Sequence, residues 1–421
     1  NDAGFGNSTS GAGAIYLFTF ADTTFTSPVL EATVGKGYTG GKNFDVTTLE
    51  SGDVFGFNLS LDGTRLAVGA PGDNGLGNTT ADAGAVYLFN FADSAFTSPT
   101  LQATIGKGYT GGKNFDFSIL EANDYFGEAV SLDGTRLAAA AIYDDGFGNT
   151  TANAGAVYLF TFTDSVFNGA HHVATIGKGY TGEKNFDVTG FSVNTTVSLE
   201  ASDNFGLGVS LDGTRLVVGA ARDGGVDNAT AIAGAVYLFT FADTSFNSPK
   251  LEGIIGKGYT GGKNYNVGNL EGDDFFGNGV SLNGNRLAVG AAKEDGFGNT
   301  APNAGAVYLF TFGDSSFTGP TLQAIIGKGY TGGKNYDVTT LEGGSPWGDT
   351  FGYSVALDGN RLAVSAHDDD GFGNSTTMPG AVYLFTFADS AFSSPTLEAI
   401  IGKGYAGGKN LNLAGLEADD Y

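Results

Sequence analysis

Apolar and polar positions alternate along this chain in short runs, each closed by turn residues. In the stretch from 55 to 105, "FGFNLSL" and "RLAVGA" flank "DGT", "GAVYLFNF" follows a glycine-rich loop, and "TLQATI" follows "ADSAFTSP". A period of two over six to eight residues is the signature of a half-buried strand, and an Asp-Gly pair between two such runs predicts a hairpin. Glycine interrupts every window long enough for three helical turns, so no helix is predicted.

The pattern repeats. The leucine of "YLF" falls at Leu17, Leu88, Leu159, Leu238, Leu309 and Leu384, in steps of 71, 71, 79, 71 and 75 residues. The long steps carry the extra segments "GFSVNTTV" (190–197) and "GSPW" (344–347). Four antiparallel strands in each unit of about 70 residues predict the blade of an all-β propeller, because a lone four-stranded sheet with two apolar faces needs neighbours on both sides. The "FG" strand occurs at Phe55, Phe126, Phe205, Phe276 and Phe351, one time fewer than "YLF". The expectation is a single repeat domain over 1–421, with a half-blade over 1–54 and five full blades beginning near 55, 126, 205, 276 and 351. The half-blade lacks one hairpin and presents an unpaired edge, which folded proteins avoid. Residues beyond Tyr421, another chain or a copy of the same chain would complete it by strand addition. Strand alternation puts "LDGTR" and "ADSAFTSP" on one face, and the long loops, including "GKGYTGGKN", on the other.

Composition agrees with strands and turns: 70 Gly, 34 Phe and 18 Tyr against 9 Pro. A net charge of −25 disfavours nucleic acid and anionic membranes as partners, and no run of about 18 apolar residues predicts membrane insertion. The absence of cysteine rules out disulfides and thiolate metal sites. With Asn1 first and Met378 the sole methionine, the expectation is a processed product or fragment, any signal or anchor lying outside it.

Phe-Gly, a hairpin and then Gly-Ala-Pro, complete at Phe55, Gly56, Gly69, Ala70 and Pro71, resembles the FG-GAP repeat. The other units keep Phe-Gly with "VGAA", "AAAI" or "VSAH". That family includes the propeller of integrin α subunits and repetitive bacterial extracellular proteins. The resemblance implies a secreted or cell-surface β-propeller serving as an adhesive or structural module, bacterial in flavour. Integrin-type copies also carry an Asp-x-Asp-x-Asp-Gly calcium loop in the first hairpin. Here that turn holds one Asp at most (Asp62, Asp133, Asp212, Asp358, with Asn283 in the fifth), too few oxygens for calcium.

Other candidate chemistry is sparse. Asp73, Asp144, Asp145, Glu294, Asp295, Asp368 and Asp369 lie in glycine-rich loops that either wrap a cation such as calcium or form ordinary turns. Twelve of the fourteen lysines, Lys36, Lys42, Lys107, Lys113, Lys178, Lys184, Lys257, Lys263, Lys328, Lys334, Lys403 and Lys409, sit in the six copies of "GKGYTGGKN" and its variants. They are candidate contacts for a partner protein or a glycan, or they neutralise acids of neighbouring blades. The motif is not a phosphate loop: three residues, not four, separate Gly37 from Gly41-Lys42, and Asn43 follows. Of three histidines, His171 and His172 are adjacent on a strand and point to opposite faces, and His367 stands alone. No acid–base constellation breaks the repeat, so no enzyme is expected. Asn7, Asn58, Asn78, Asn149, Asn194, Asn228 and Asn374 begin glycosylation sequons, a pattern that Gly/Asn/Thr-rich loops also produce by composition. The functional expectation is an extracellular scaffold mediating protein or cell-surface assembly, with carbohydrate or cation binding through the long-loop face as the alternative.

Overall fold

A computed structural model describes residues 2–192, 196–197, 199–344, 348–418 and 420. They form a six-bladed β-propeller. Blades 2 to 6 are five-stranded sheets and blade 1 is a three-stranded sheet, with a two-stranded ribbon Phe191–Ser192/Thr196–Val197 between blades 3 and 4. Val226–Asn228, a single 3-10 turn, is the helical content among the described residues.

Blade 3 illustrates the full unit. Phe126–Asp133 lines the axis; Arg136–Ala141, Ala156–Thr161 and His171–Gly177 follow outward in antiparallel order, and Phe186–Asp187 adds a short parallel fifth strand. The first four strands are those the alternation predicts. The fifth is too short to leave a periodic signal and is instead pinned by an asparagine: Asn185 Oδ1 accepts the Thr175 amide at 2.9 Å. The equivalents are Asn43, Asn114, Asn264, Asn335 and Asn410, 2.8–2.9 Å from their strands.

The phenylalanine of Phe-Gly is wholly buried in its own blade. Phe126 meets Tyr158 and Phe160, the aromatic residues of "YLF", at 6.1 and 6.0 Å between ring centroids. Its glycine serves the neighbour. A Cβ on Gly69 of blade 2 would lie 1.8 Å from the carbonyl oxygen of Gly127 in blade 3, so the two backbones touch with no room for a side chain. Gly219 with Gly277 and Gly290 with Gly352 repeat the contact. The motif residues are therefore interlocking parts of adjacent blades.

The turn face is stitched in the same way. Asp62 Oδ2 accepts the Gly134 amide at 2.8 Å, while Arg65 donates to the Gly134 carbonyl. Asp133 and Arg136 hold Gly213 likewise, and Asp212 and Arg215 hold Gly284. Ser60, Ser131, Ser210 and Ser281 each accept the amide of a leucine in the next blade at 2.9 Å.

Blade 1 consists of Ala14–Thr19, Val29–Gly35 and Phe44–Asp45. It has the third, fourth and fifth strands of a blade and lacks the inner hairpin. The ring nevertheless closes. Phe25 packs on Leu384, Ala399 and Ile401 of blade 6, Lys409 donates to the Thr24 carbonyl at 2.7 Å, and Asn7 donates to Glu417 at 2.9 Å.

Candidate functional site: the open blade and the axial channel

The position of the missing hairpin is an opening between the inner strands of blades 2 and 6. On the blade 2 side, Leu59 and Leu61 are each 46% exposed, whereas Val130 and Leu132, their equivalents in blade 3, are 3% and 6% exposed. On the blade 6 side, Ser354, Ala356 and Asp358 are exposed, and Arg361, Ala363 and Ser365 are half-buried. The buried strand of "YLF" in other blades becomes, at Ala14–Thr19, an edge with Ala14, Tyr16 and Phe18 half-buried. Among the described residues, Asp358 and Arg361 bond each other and no turn glycine, though their counterparts in blades 2, 3 and 4 clamp one. Ala356 stands where Ser60, Ser131, Ser210 and Ser281 stand, so one of the bonds between blades has no acceptor at this edge. Phe57 and Tyr353 meet edge-on across the opening at 6.4 Å between centroids.

The opening continues into an axial channel of about 410 Å³ lined by the inner strands. Its lining includes Phe57, Asn58, Glu128, Leu207, Asn278 and Tyr353. The residue following Phe-Gly is thus different in every full blade (Phe57, Glu128, Leu207, Asn278, Tyr353); the next one also varies (Asn58, Ala129, Gly208, Gly279, Ser354), and the rest of the strand is nearly constant. Burial raises the Glu128 carboxyl to about 8, so it is mostly protonated at neutral pH.

The acidic loops have a structural use. Asp73 Oδ2 accepts the hydroxyls of Tyr87 at 2.7 Å and Tyr109 at 2.8 Å, and Oδ1 accepts the Gly75 amide at 2.7 Å. Asp144 does the same with Tyr158, Tyr180 and Gly146, and Asp369 with Tyr383, Tyr405 and Gly371. Glu294 takes this place in blade 5, bonded to Tyr330 and Gly296. Asp2 and Asp223, outside the expected set, complete the ring of six. Desolvation raises these buried carboxyls, Asp73, Asp144, Asp223, Glu294 and Asp369, above their ordinary range. Asp145 and Asp295 each accept an amide eight residues on, at 2.8 Å, and Asp368 is bonded to the His367 ring at 2.7 Å. No group of three or more His, Cys, Asp or Glu side chains is arranged to hold a metal ion among the described residues.

A second carboxyl in each of the five full blades precedes Phe-Gly. Asp53, Asp124, Asp203, Asp274 and Asp349 each accept the amide of a glutamate upstream at 2.6–2.7 Å. Burial pushes Asp53, Asp203, Asp274 and Asp349 up to about 7 and Asp124 to about 6.

The tyrosine pins explain "GKGYTGGKN". Its tyrosine (Tyr38, Tyr109, Tyr180, Tyr259, Tyr330, Tyr405) anchors the connector to the buried acid. The chain then folds back along the outer edge of the blade before the parallel fifth strand, so the motif does not stay on the loop face. Its lysines separate. The first of each pair donates to carbonyls further along its own connector: Lys107 to Ser118 and Leu120, Lys257 to Gly268, and Lys36, Lys178, Lys328 and Lys403 likewise. The second reaches a carbonyl in the next blade's turn, as Lys42 does to Ala95 at 2.8 Å, Lys113 to Val166 at 2.7 Å, Lys263 to Ser316 and Lys334 to Ala391. Lys184 and Lys409 do the same toward Ser245 and Thr24. Lys42, Lys263 and Lys409 also pair with Glu31, Glu252 and Glu398. Neutralisation therefore occurs mainly within a blade, and carbonyls bridge the blades.

His171 is exposed, while His172 packs on Phe117, Tyr158 and Phe160 and is held down to about 4 by burial. The two point to opposite faces, as strand alternation requires. Asn7, Asn78, Asn149, Asn228 and Asn374 are exposed turn residues with positive φ, and Asn58 lies in the channel, its side-chain oxygen bonded to the Val130 amide. Asn194 and Trp347 lie outside the described residues. No helix among the described residues is long and apolar enough to cross a membrane.

The family model for the FG-GAP repeat matches five times, at residues 49–89, 120–160, 199–239, 269–310 and 346–385. Each match spans one Phe-Gly strand through the following "YLF", one per full blade. The chain is an FG-GAP β-propeller. No curated protein matches it across the chain. Among solved structures, one described under the name TolB from Agrobacterium tumefaciens is similar at 11% identity over 83% of this chain and 81% of that one, with a TM-score of 0.33.

Proposed function

We propose that this propeller is a non-enzymatic extracellular scaffold, secreted or at the cell surface, that joins other protein chains by accepting a β-hairpin into its open blade. FG-GAP propellers are protein-interaction modules, which supports the coarse reading. The observation that carries the finer one is the edge Ala14–Thr19, flanked by exposed Leu59 and Leu61 and by the Asp358–Arg361 clamp. An unpaired strand beside an exposed apolar strip is a site for β-augmentation: main-chain bonds supply affinity and the alternate side chains supply selectivity. The partner segment has the pattern of the repeat's own inner hairpin, Phe-Gly-x-x-Val-Ser-Leu-Asp-Gly-x-Arg-Leu followed by an apolar residue; by analogy with blade 4, its first-strand valine and leucine face blade 6, the apolar residue after Arg-Leu (Val217 there) faces Leu59 and Leu61, and its turn glycine meets Asp358 and Arg361. This reading includes no cofactor or resident metal.

The test is calorimetric titration with a synthetic peptide of residues 205–220. Saturable one-to-one binding is expected, and Leu59→Asp/Leu61→Asp, placed on already exposed positions, abolishes it without lowering the melting temperature. Absence of binding, or equal binding by the double variant, contradicts the reading.

A further inference from the structure

Positive charge in this protein is almost wholly assigned by the repeat, and two exceptions meet at one place. Twelve lysines belong to the connectors and five arginines (Arg65, Arg136, Arg215, Arg286, Arg361) follow the hairpin turn, leaving Lys250, Arg222 and Lys293. Lys250 is paired with Glu252 on an outer strand. Arg222 and Lys293 come from different blades yet face the same ring: the Arg222 guanidinium carbon is 5.8 Å and the Lys293 Nζ 4.6 Å from the centroid of Phe275. Neither has an acidic partner within ion-pair distance among the described residues.

Their backbone positions are equivalent. Gly72, Tyr143, Arg222, Lys293 and Asp368 each donate an amide to the carbonyl of the aspartate preceding Phe-Gly, at 3.2–3.4 Å. The backbone is repeated and the side chain differs in all five blades. The residue just before Phe-Gly differs as well: Val54, Tyr125, Asn204, Phe275, Thr350. Together with the varied residues after Phe-Gly, these positions form a collar at the loop-face mouth of the axial channel. Tyr125 packs edge-on against Tyr143 at 5.0 Å, and His367 stacks on Tyr353 at 4.3 Å. In a chain that otherwise copies itself, side chains chosen blade by blade at one mouth mark a site for an asymmetric ligand.

The chemistry of the collar selects the ligand. A guanidinium and an ammonium over one aromatic ring suit a carboxylate. The neighbouring half-buried tyrosines offer flat apolar surface beside hydroxyls, and Asn58, Asn278 and Ser354 line the channel below. Glu128, kept largely neutral by burial, does not cancel the two cations at neutral pH. Asp368 is engaged by His367. A polyanionic peptide is opposed by the net charge of −25. A sugar that carries one carboxylate per ring among hydroxyls meets less repulsion and uses the aromatic surface. The channel of about 410 Å³ below the collar is lined by the inner strands and the open blade and not by Arg222, Phe275 or Lys293, so the ligand is held at the mouth.

We infer that the loop-face mouth of the channel, centred on Arg222, Phe275 and Lys293, is a binding site for uronic-acid saccharides. Arg222, Phe275 and Lys293 lie outside the lining of the open blade and its channel, so the assignment stands whether or not a hairpin binds there. Calorimetric titration with trigalacturonate tests it, with neutral maltotriose and a hexaglutamate peptide as comparators. Trigalacturonate gives saturable binding. Arg222→Gln and Lys293→Gln each weaken it about 10-fold or more and leave melting unchanged, while Lys250→Gln leaves binding intact. Maltotriose does not bind, and hexaglutamate binds at least about 10-fold more weakly. No saturable binding of trigalacturonate, affinity unaltered in the Arg222→Gln/Lys293→Gln double variant, or hexaglutamate binding as tightly as the saccharide would each overturn the assignment.

Discussion

The contact between blades 2 and 3 and the opening between blades 6 and 2 are built from the same sequence, with opposite results. In the first, Leu132 is buried, Gly134 is clamped by Asp62 and Arg65, and Gly127 touches Gly69. In the second, the matching leucine, Leu61, faces solvent, and among the described residues Asp358 and Arg361 bond each other and no turn glycine. The difference teaches that a blade's inner hairpin serves its neighbours more than itself. Blade 1 keeps its outer strands folded without one, and the exposed groups that result belong to blades 2 and 6.

The comparison is broken most strongly in the buried partner. Phe126→Ala removes a fully buried ring and costs about 3–5 kcal/mol in denaturant unfolding, whereas Leu61→Asp at the opening changes stability by about 0.5 kcal/mol or less. Equal costs would show that Leu61 is covered in solution.

Next come the two arginines. Arg136 is buried, donates to the Gly213 carbonyl, pairs with Asp133 and lies 5.6 Å from the Phe246 ring. Arg136→Ala is expected to cost about 1–3 kcal/mol through the groups it leaves unpaired. Arg361→Ala, at the open equivalent and paired only with exposed Asp358, costs about 0–1 kcal/mol. A large loss at Arg361 would mean that its clamp is occupied.

A pH effect is shared by all the full blades. Asp53, Asp124, Asp203, Asp274 and Asp349 have folded values raised to about 6–7 from an ordinary 3.8. The folded protein therefore holds protons that the unfolded chain has released, and the stability this gives is full below about pH 4 and is lost as pH rises through 6–7. The melting temperature should fall by several degrees between pH 5 and pH 8. Asp53→Asn should flatten part of that slope; a melting temperature that rises over the interval would contradict the burial of these groups.

Much of this fold is legible in the sequence, and the illegible parts have physical causes. The four main strands follow from short runs rich in apolar residues and bounded by turn signals, "FGEAVSL", "RLAAAA", "AVYLFT" and "HHVATI". The fifth strand, Phe186–Asp187, is two residues long, and only the repeated Asn-Phe-Asp could have signalled it. The lysines were legible as a repeated feature but not as carbonyl caps, because their targets, further along the same connector for the first of each pair and in the next blade for the second, depend on the fold-back of the connector. The tyrosine of "GKGY" passed as turn composition, although each copy is spaced 36 residues from a buried acid, as Tyr109 is from Asp73. The acids in those loops suggested a cation because their phenolic partners were not visible. The collar was missed differently: attention to inserted segments passed over single positions, next to Phe-Gly, where an otherwise constant repeat changes in every blade.

Amide hydrogen exchange tests the central claim most directly, with the protein measured alone and with a saturating excess of the peptide of residues 205–220. The account predicts that protection rises at Ala14–Thr19 and Leu59–Asp62 and stays unchanged at the equivalent, already paired Ala156–Thr161. Unchanged exchange at Ala14–Thr19, or protection there already as strong as at Ala156–Thr161 before the peptide is added, would contradict it.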